Sequence, residues 1–213
     1  MSLDVKLLAI LDPARLGGRD PVPAAGAAAA GGATAVQLRD KTAGAAALLR
    51  LTRDLVAALP VPVYVNDRAD VALAAGAAGV HLGQDDLEPR HVRALAPGAF
   101  RIGLSAGTPA EARRAAAAPV DYWSIGSIYA TPSKPDAGAP IGPEGFRQLA
   151  RLAPADMPVI AIGGITEANA AEILAAGAHG IAVISAIFAA DDVEAAARRL
   201  RRIVEASGHP RDR

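Results

Sequence analysis

The sequence predicts a (β/α)8 barrel, an α/β TIM barrel in one domain covering residues 1–213. Three observations carry that expectation. Short runs rich in Val, Ile and Leu alternate with alanine-rich segments of helical length, the pattern of βα units around a parallel sheet. Eight such runs are present and none lacks its following helical segment, which favours closure over the open doubly wound sheet that the alternation also permits. A weak internal repeat supports the periodicity: "GGATAVQL", "AGAAGVHL" and "AGAHGIAV" share a helix-ending glycine, an alanine and an apolar strand. Eight units imply about 27 residues each, compact beside the usual barrel of about 250.

Taken in order, the predicted strands are 5–12 (VKLLAILD), 35–40 (AVQLRD), 61–67 (VPVYVND), 79–84 (GVHLGQ), 100–105 (FRIGLS), 122–130 (YWSIGSIYA), 157–164 (MPVIAIGG) and 180–187 (GIAVISAI). Helices fill the intervals. Thr108, Pro109 and Glu111 have the character of an N-cap, a first helical residue and an N3 acid, while Gly76 and Gly177 suit C-terminal stops. The last helix, DVEAAARRLRRIVEAS, places its arginines toward the C-terminal half, where the helix dipole favours cations. The tail, residues 208–213, is expected to fray. One long Pro- and Gly-containing segment, 131–142 (TPSKPDAGAPIG), falls between a strand and a helix and reads as a functional loop rather than a domain boundary.

Composition narrows the function classes. Lys plus Arg equals Asp plus Glu at 22 each, so no basic excess points to nucleic acid or an anionic membrane as the main partner. Aromatic residues are 3% of the chain, too few for a surface of base-stacking platforms. The absence of cysteine excludes disulfides, a thiol nucleophile and a cysteine-ligated zinc. The N-terminal stretch MSLDVKLLAILD is too short and too polar for a signal peptide or membrane span, which gives a cytoplasmic expectation.

In a (β/α)8 barrel the C-terminal strand ends converge on the catalytic face. Those ends supply Gln37, Arg39, Asp40 and Lys41; Asn66 and Asp67; Gln84, Asp85 and Asp86; Ser105; Thr131, Ser133 and Lys134; Gly163 and Gly164; and Ile184 and Ser185. Asp67 and Asp86 end neighbouring strands, so their carboxylates can meet. They suit either Mg2+, with its other positions left to water and phosphate, or a general acid/base pair. The polar Asn, Gln and Arg around them favour the metal, since an acid/base pair wants an apolar pocket to split its pKa values. A plainer role, capping of the next helix, is the expectation for Asp85.

Gln37, Arg39 and Lys41 alternate along one strand and share a side. Gln37 can read a heterocycle edge with a donor and an acceptor, and the two cations can meet an anion; structural pairing of the cations with Asp40 or Asp67 is the competing reading. "AIGGI" before a helix and "AVISAI" at the last strand fit the backbone phosphate cradle that barrels build after strands seven and eight. The histidines form no ligand pair: His81 is expected to pack inward with a satisfied hydrogen bond. Tyr122 and Trp123, at the start of a strand, are expected to pack far from the site.

With these residues collected, the chain resembles the thiamine phosphate synthase (thiamine-phosphate pyrophosphorylase) family over essentially its whole length. VQLRDK, VNDRADVALAAGAAGVHLGQDD, GLSAGT, YATPSKPDAGAPIG, IAIGGI and VISAI occur in the family's order and spacing. The resemblance implies a barrel enzyme that joins hydroxymethylpyrimidine diphosphate to a (carboxy)thiazole phosphate, giving thiamine monophosphate and diphosphate by Mg2+-assisted dissociative substitution. It implies pyrimidine diphosphate binding by Gln37, Arg39, Lys41, Asn66, Ser105 and Lys134, with Lys134, Arg39 and Ser105 as the catalytic set, and Mg2+ binding by Asp67 and Asp86. Thiazole phosphate falls to Thr131, Pro132, Ser133, Gly164, Ile184 and Ser185. The partners implied are therefore small molecules, with a homo-oligomer as a further expectation. The chain departs from many members at Gly107, where they carry histidine, and at Ser127 and Ala130, where they carry proline. Two alternatives remain: a thiazole tautomerase like the related TenI barrels, which place a histidine where this chain has Ser127, and a non-catalytic regulator that kept the phosphate cradle.

Overall fold

The computed structural model describes residues 3–131 and 138–208. Pro132, Ser133 and Lys134, with the tail from His209, lie outside the described residues. Eight strands close into one barrel in sequence order, every neighbouring pair parallel. They are β1 (Leu7–Leu11), β2 (Ala35–Leu38), β3 (Val63–Asn66), β4 (Gly79–Leu82), β5 (Arg101–Ser105), β6 (Tyr122–Ile125), β7 (Val159–Ile162) and β8 (Gly180–Val183). The helices are α1 (Pro21–Ala30), α2 (Ala45–Ala58), α3 (Ala69–Ala75), α4 (Pro89–Leu95), α5 (Pro109–Ala116), α6 (Gly142–Ala150), α7 (Ala170–Ala175), α8 (Ser185–Phe188) and α9 (Val193–Ala206). A 3-10 turn, Pro13–Arg15, follows β1.

Strand alternation divides the apolar residues into two clusters. Leu7, Ala9, Leu11, Val36, Leu38, Val80, Leu82 and Trp123 face the helices. Leu8, Ile10, Ala35, Tyr64, Tyr122, Ile160 and Ala182 fill the barrel. Tyr64 and Tyr122 meet edge to face, centroids 5.9 Å apart. Two rings of that size fit because the strands beside them carry glycine: a Cβ on Gly79 would lie 2.8 Å from Tyr64 Cε1, and one on Gly103 would overlap the Tyr122 ring and lie 2.5 Å from His81 Nδ1. Gly103→Ala is therefore expected to lower stability by about 1–3 kcal/mol through overpacking, measured as the midpoint of urea unfolding; an unchanged midpoint would contradict this filling of the interior.

The boundary signals hold where a side chain makes them. Thr108 Oγ1 accepts from the Glu111 N–H at 3.2 Å and starts α5, and Gly76 ends α3 in the left-handed region at φ 70. Every predicted strand but the fifth runs past its C-terminal end, the sixth and eighth by the most. The sixth stops at Ile125. The eighth stops at Val183, and Ser185–Phe188 turn into α8. That last turn is anchored from outside the sheet: Arg19 donates to the carbonyls of Leu16 at 2.9 Å, Ala190 at 2.9 Å and Phe188. An apolar pattern cannot report such a tie.

At the N-terminal side of the barrel, Asp121 accepts from Arg93 Nη2 at 2.6 Å, Arg101 Nη1 at 2.8 Å and the Ile102 N–H at 2.8 Å. Burial alone pushes its carboxyl up, but the three donors outweigh that and hold it below the usual value of 3.8. A depressed carboxyl stabilises the fold above its unfolded value, and that contribution is lost as pH falls from about 4 through the native value. The melting-temperature gap between wild type and Asp121→Asn is expected to narrow from pH 6 to pH 3; a constant gap would count against this role.

Candidate active site

The C-terminal strand ends bring most of the expected residues to one mouth. Asp67 follows β3 with φ 63, a left-handed backbone rare for a non-glycine residue, and its N–H donates to the His81 carbonyl at 2.8 Å. That bond ties the end of β3 to β4 and turns the Asp67 side chain toward the β4 loop. There Asp86 accepts from the Gly83 N–H at 2.6 Å. Burial raises the Asp86 carboxyl above its usual value; the Gly83 N–H and the Lys41 charge oppose this, while hydrogen bonding with Asp67 and the charge of Asp67 raise it further. The two carboxylates are thus close neighbours, and Lys41 already stands as a cation on Asp67.

Among the described residues no group of three or more His, Cys, Asp or Glu side chains could hold a metal. A pair of facing carboxylates fits Mg2+, which typically takes one or two carboxylates and fills the rest of its octahedron with water and substrate phosphate. Asp85 does not cap the next helix as expected. It is exposed, and α4 begins only at Pro89, with Glu88 at the N-cap.

Gln37 is buried inside the barrel and its Nε2 donates to Asn66 Oδ1 at 3.1 Å. This leaves the Gln37 carbonyl oxygen and the Asn66 amide nitrogen able to face a heterocycle. Arg39 does not pair with Asp40: its Nη1 donates to Asp12 Oδ2 at 2.9 Å, with both side chains largely buried. Asp40 instead closes a local turn through Thr42 and Ala43. Ser105 ends β5, where Gln84 Nε2 donates to its carbonyl at 2.6 Å and its hydroxyl lies 3.1 Å from His81 Nε2.

On the other side of the mouth, Gly163 and Gly164 have φ 102 and 65. A Cβ on Gly164 would lie 2.6 Å from the Ala130 carbonyl oxygen, and one on Gly163 2.7 Å from Ser127 Cα. The glycines therefore let residues 127–130 lie directly against the end of β7, which carries Thr131 toward the mouth. Ile184 and Ser185 form the entry to α8. Of the phosphate-corner residues expected from sequence, Thr131, Gly164, Ile184 and Ser185 are described, while Pro132 and Ser133, with the catalytic candidate Lys134, are not.

Three contributors escaped the sequence reading. Asp12 closes the first predicted strand, so its strand-end position was a usable signal. His81 packs inward with satisfied hydrogen bonds, as expected, but its partners place it directly beneath Ser105. Tyr122 is a buried packing residue, as expected, but its hydroxyl is 3.1 Å from His81 Nδ1, so it touches the residue that lies beneath Ser105.

The fold and mouth define a (β/α)8-barrel whose C-terminal strand ends gather two neighbouring carboxylates, a lysine paired with one of them and a close-packed glycine corner after β7. The chain belongs to the family described as thiamine monophosphate synthase, whose model matches residues 7–187, and it is accordingly a transferase, a thiamine-phosphate diphosphorylase. It is 46% identical over 205 residues to the thiamine-phosphate synthase of Chloroflexus aurantiacus, covering 95% of this chain and 94% of that one. It is 49% identical over 217 residues to that of Methanoregula boonei, covering 100% and 99%. Among solved structures, thiamine phosphate pyrophosphorylase from Pyrococcus furiosus superposes with a TM-score of 0.83 at 37% identity, covering 95% of this chain and 96% of that one. Among the described residues no helix is long and apolar enough to cross a membrane.

Proposed function

We propose that the mouth joins hydroxymethylpyrimidine diphosphate to a thiazole phosphate, forming thiamine monophosphate and releasing diphosphate. The observation that carries this reading is the meeting of Asp67 and Asp86 beside Lys41, a mixed-charge rim suited to a diphosphate with a divalent cation. Asp67 and Asp86 would hold Mg2+. When bound, that ion supplies Lewis-acid neutralisation of charge developing on the departing diphosphate. Gln37 and Asn66, held to each other, orient the pyrimidine edge. Arg39 is fixed by Asp12 and presents its remaining N–H groups to the diphosphate. Lys41 is half exposed on a flexible stem, so its ammonium can move from Asp67 to a diphosphate oxygen.

In this scheme the carbon–oxygen bond to diphosphate breaks first, its electron pair leaving with the diphosphate, and the thiazole nitrogen then bonds through its lone pair to the pyrimidine methylene carbon. The protein needs electrostatic stabilisation and alignment rather than a nucleophile of its own. Lys134 is assigned to the same leaving group. Thr131, Pro132, Ser133, Gly164, Ile184 and Ser185 are assigned to the thiazole phosphate, which positions the attacking nitrogen.

The test mixes purified protein with both substrates and Mg2+ and follows thiamine monophosphate and diphosphate in equal amounts. Binding of both substrates without product would sink the synthase reading. Conversion of thiazole phosphate alone, without metal, would favour the tautomerase instead; tight phosphate-ligand binding with no turnover of either kind would favour the regulator.

A further inference from the structure

We propose that Tyr122 and His81 orient Ser105 as a hydrogen-bond donor to the ligand, Tyr122 by holding the imidazole as its Nε2–H tautomer and His81 by donating to the serine oxygen, which turns the hydroxyl hydrogen away from the ring. The three groups form one file through the barrel interior. Tyr122 Oη lies 3.1 Å from His81 Nδ1, and His81 Nε2 lies 3.1 Å from Ser105 Oγ. The register explains why they meet: Gly103 lies between His81 on β4 and Tyr122 on β6, and a Cβ there would strike both side chains.

The direction of each bond follows from burial. Tyr122 is fully buried, and among the described residues Nδ1 of His81 is the hydrogen-bond partner of its hydroxyl. A buried hydroxyl hydrogen goes to an acceptor when one is in reach. If Nδ1 carried a hydrogen, the phenol would have to accept it, and the phenol's own hydrogen would face only the apolar interior around Tyr64. That argument excludes the Nδ1–H tautomer. Burial also pushes the phenol pKa well above its usual value of 10, which keeps the donor in place.

With Nδ1 accepting, the ring's single hydrogen sits on Nε2 and is donated to Ser105 Oγ. The Ser105 carbonyl is engaged by Gln84. With its oxygen accepting from His81, Ser105 turns its hydroxyl hydrogen away from the ring and toward the ligand. The substrate atom that receives this hydrogen is an acceptor, a ring nitrogen or a phosphate oxygen. Tyr122 and His81 are positioning residues, since both act through Ser105. This last step rests on the pyrimidine diphosphate reading of the mouth; the tautomer does not.

Histidine-15N-labelled full-length protein, with His81 assigned by loss of its signals in His81→Asn, tests the tautomer by long-range proton–nitrogen correlation. The expected result is a protonated Nε2 and an unprotonated Nδ1. A protonated Nδ1 in the wild-type protein overturns the proposal, whatever any variant does. In turnover with Mg2+ and both substrates, Tyr122→Phe and Ser105→Ala should each raise the KM for the pyrimidine diphosphate about fivefold, the loss of one hydrogen bond. The KM for the thiazole phosphate should stay unchanged, and Ser105→Thr, which keeps a hydroxyl, should recover most of the loss. Because both variants break one file, the double variant should be no worse than Ser105→Ala; effects that multiply would overturn the coupling. Absence of thiamine monophosphate from the wild type would defeat the assigned reaction and leave the tautomer measurement to decide this inference.

Discussion

Asp67→Asn is expected to raise the Mg2+ concentration for half-maximal rate by at least about tenfold and to lower the limiting rate, because a charge-assisted contact is worth about 1.5–3 kcal/mol. The geometry makes the sign unambiguous. Asp67 is both the partner of Lys41 and the close neighbour of Asp86. Removing its charge relieves the repulsion that raises the Asp86 carboxyl, so the apo protein should be no less stable. The loss should fall on the charge available to a cation. Initial rates across an Mg2+ titration, with melting curves of the metal-free proteins alongside, check both halves. An unchanged Mg2+ requirement would remove Asp67 from the metal assignment.

Asp12→Ala is expected to have the larger effect on stability. The Arg39 and Asp12 side chains are 14% and 9% exposed, so deleting the carboxylate strands a largely buried guanidinium, at a cost of about 3 kcal/mol. Asp12 also accepts from the Ala14 N–H at 3.2 Å and starts the 3-10 turn after β1. For a chain of this size the loss corresponds to a fall of about 6–12 °C in melting temperature. The same variant should raise the KM for the pyrimidine diphosphate, because Arg39 loses the contact that aims it. Asp12→Asn keeps an acceptor and should recover part of both effects. A melting temperature within about 2 °C of wild type would show that Arg39 finds solvent without Asp12.

The barrel was legible because its signal is repeated: each unit states an apolar run, then an alanine-rich helix, and eight repetitions leave little choice of architecture. Strand ends were less legible where a tertiary contact sets them. β8 gives way to α8 although Ile184 and Ile187 continue the apolar pattern, and the carbonyls at the end of α8 are gathered by Arg19 from the far end of the sequence. At the mouth, residues that end predicted strands were found together: Gln37 with Asn66, Lys41 with Asp67, Asp67 with Asp86. Position along one strand was enough to find these.

What could not be read was pairing across the barrel interior. Nothing local in the sequence links Tyr122 to His81, since their contact depends on the register of β4, β5 and β6 and on the missing side chain of Gly103. Asp12 illustrates the opposite case. It stands at the end of the first predicted strand, a position that marks it as a mouth residue, and its pairing with Arg39 follows from the adjacency of β1 and β2. The phosphate cradle expected at Gly163 and Gly164 is legible from the Gly-Gly pair, whereas their close packing of residues 127–130 against β7 depends on tertiary contact.

The central claim is that the facing carboxylates and the cations beside them act as one site for diphosphate with a divalent cation. Calorimetric titration of diphosphate into the full-length protein, with Mg2+ and with a chelator, tests it directly, using wild type and the Asp67→Asn, Asp86→Asn double variant. The expected result is tight binding only for wild type with Mg2+, and weak, metal-independent binding for the double variant. Equal affinity with and without Mg2+ in the wild type, or full Mg2+ dependence in the double variant, would contradict it.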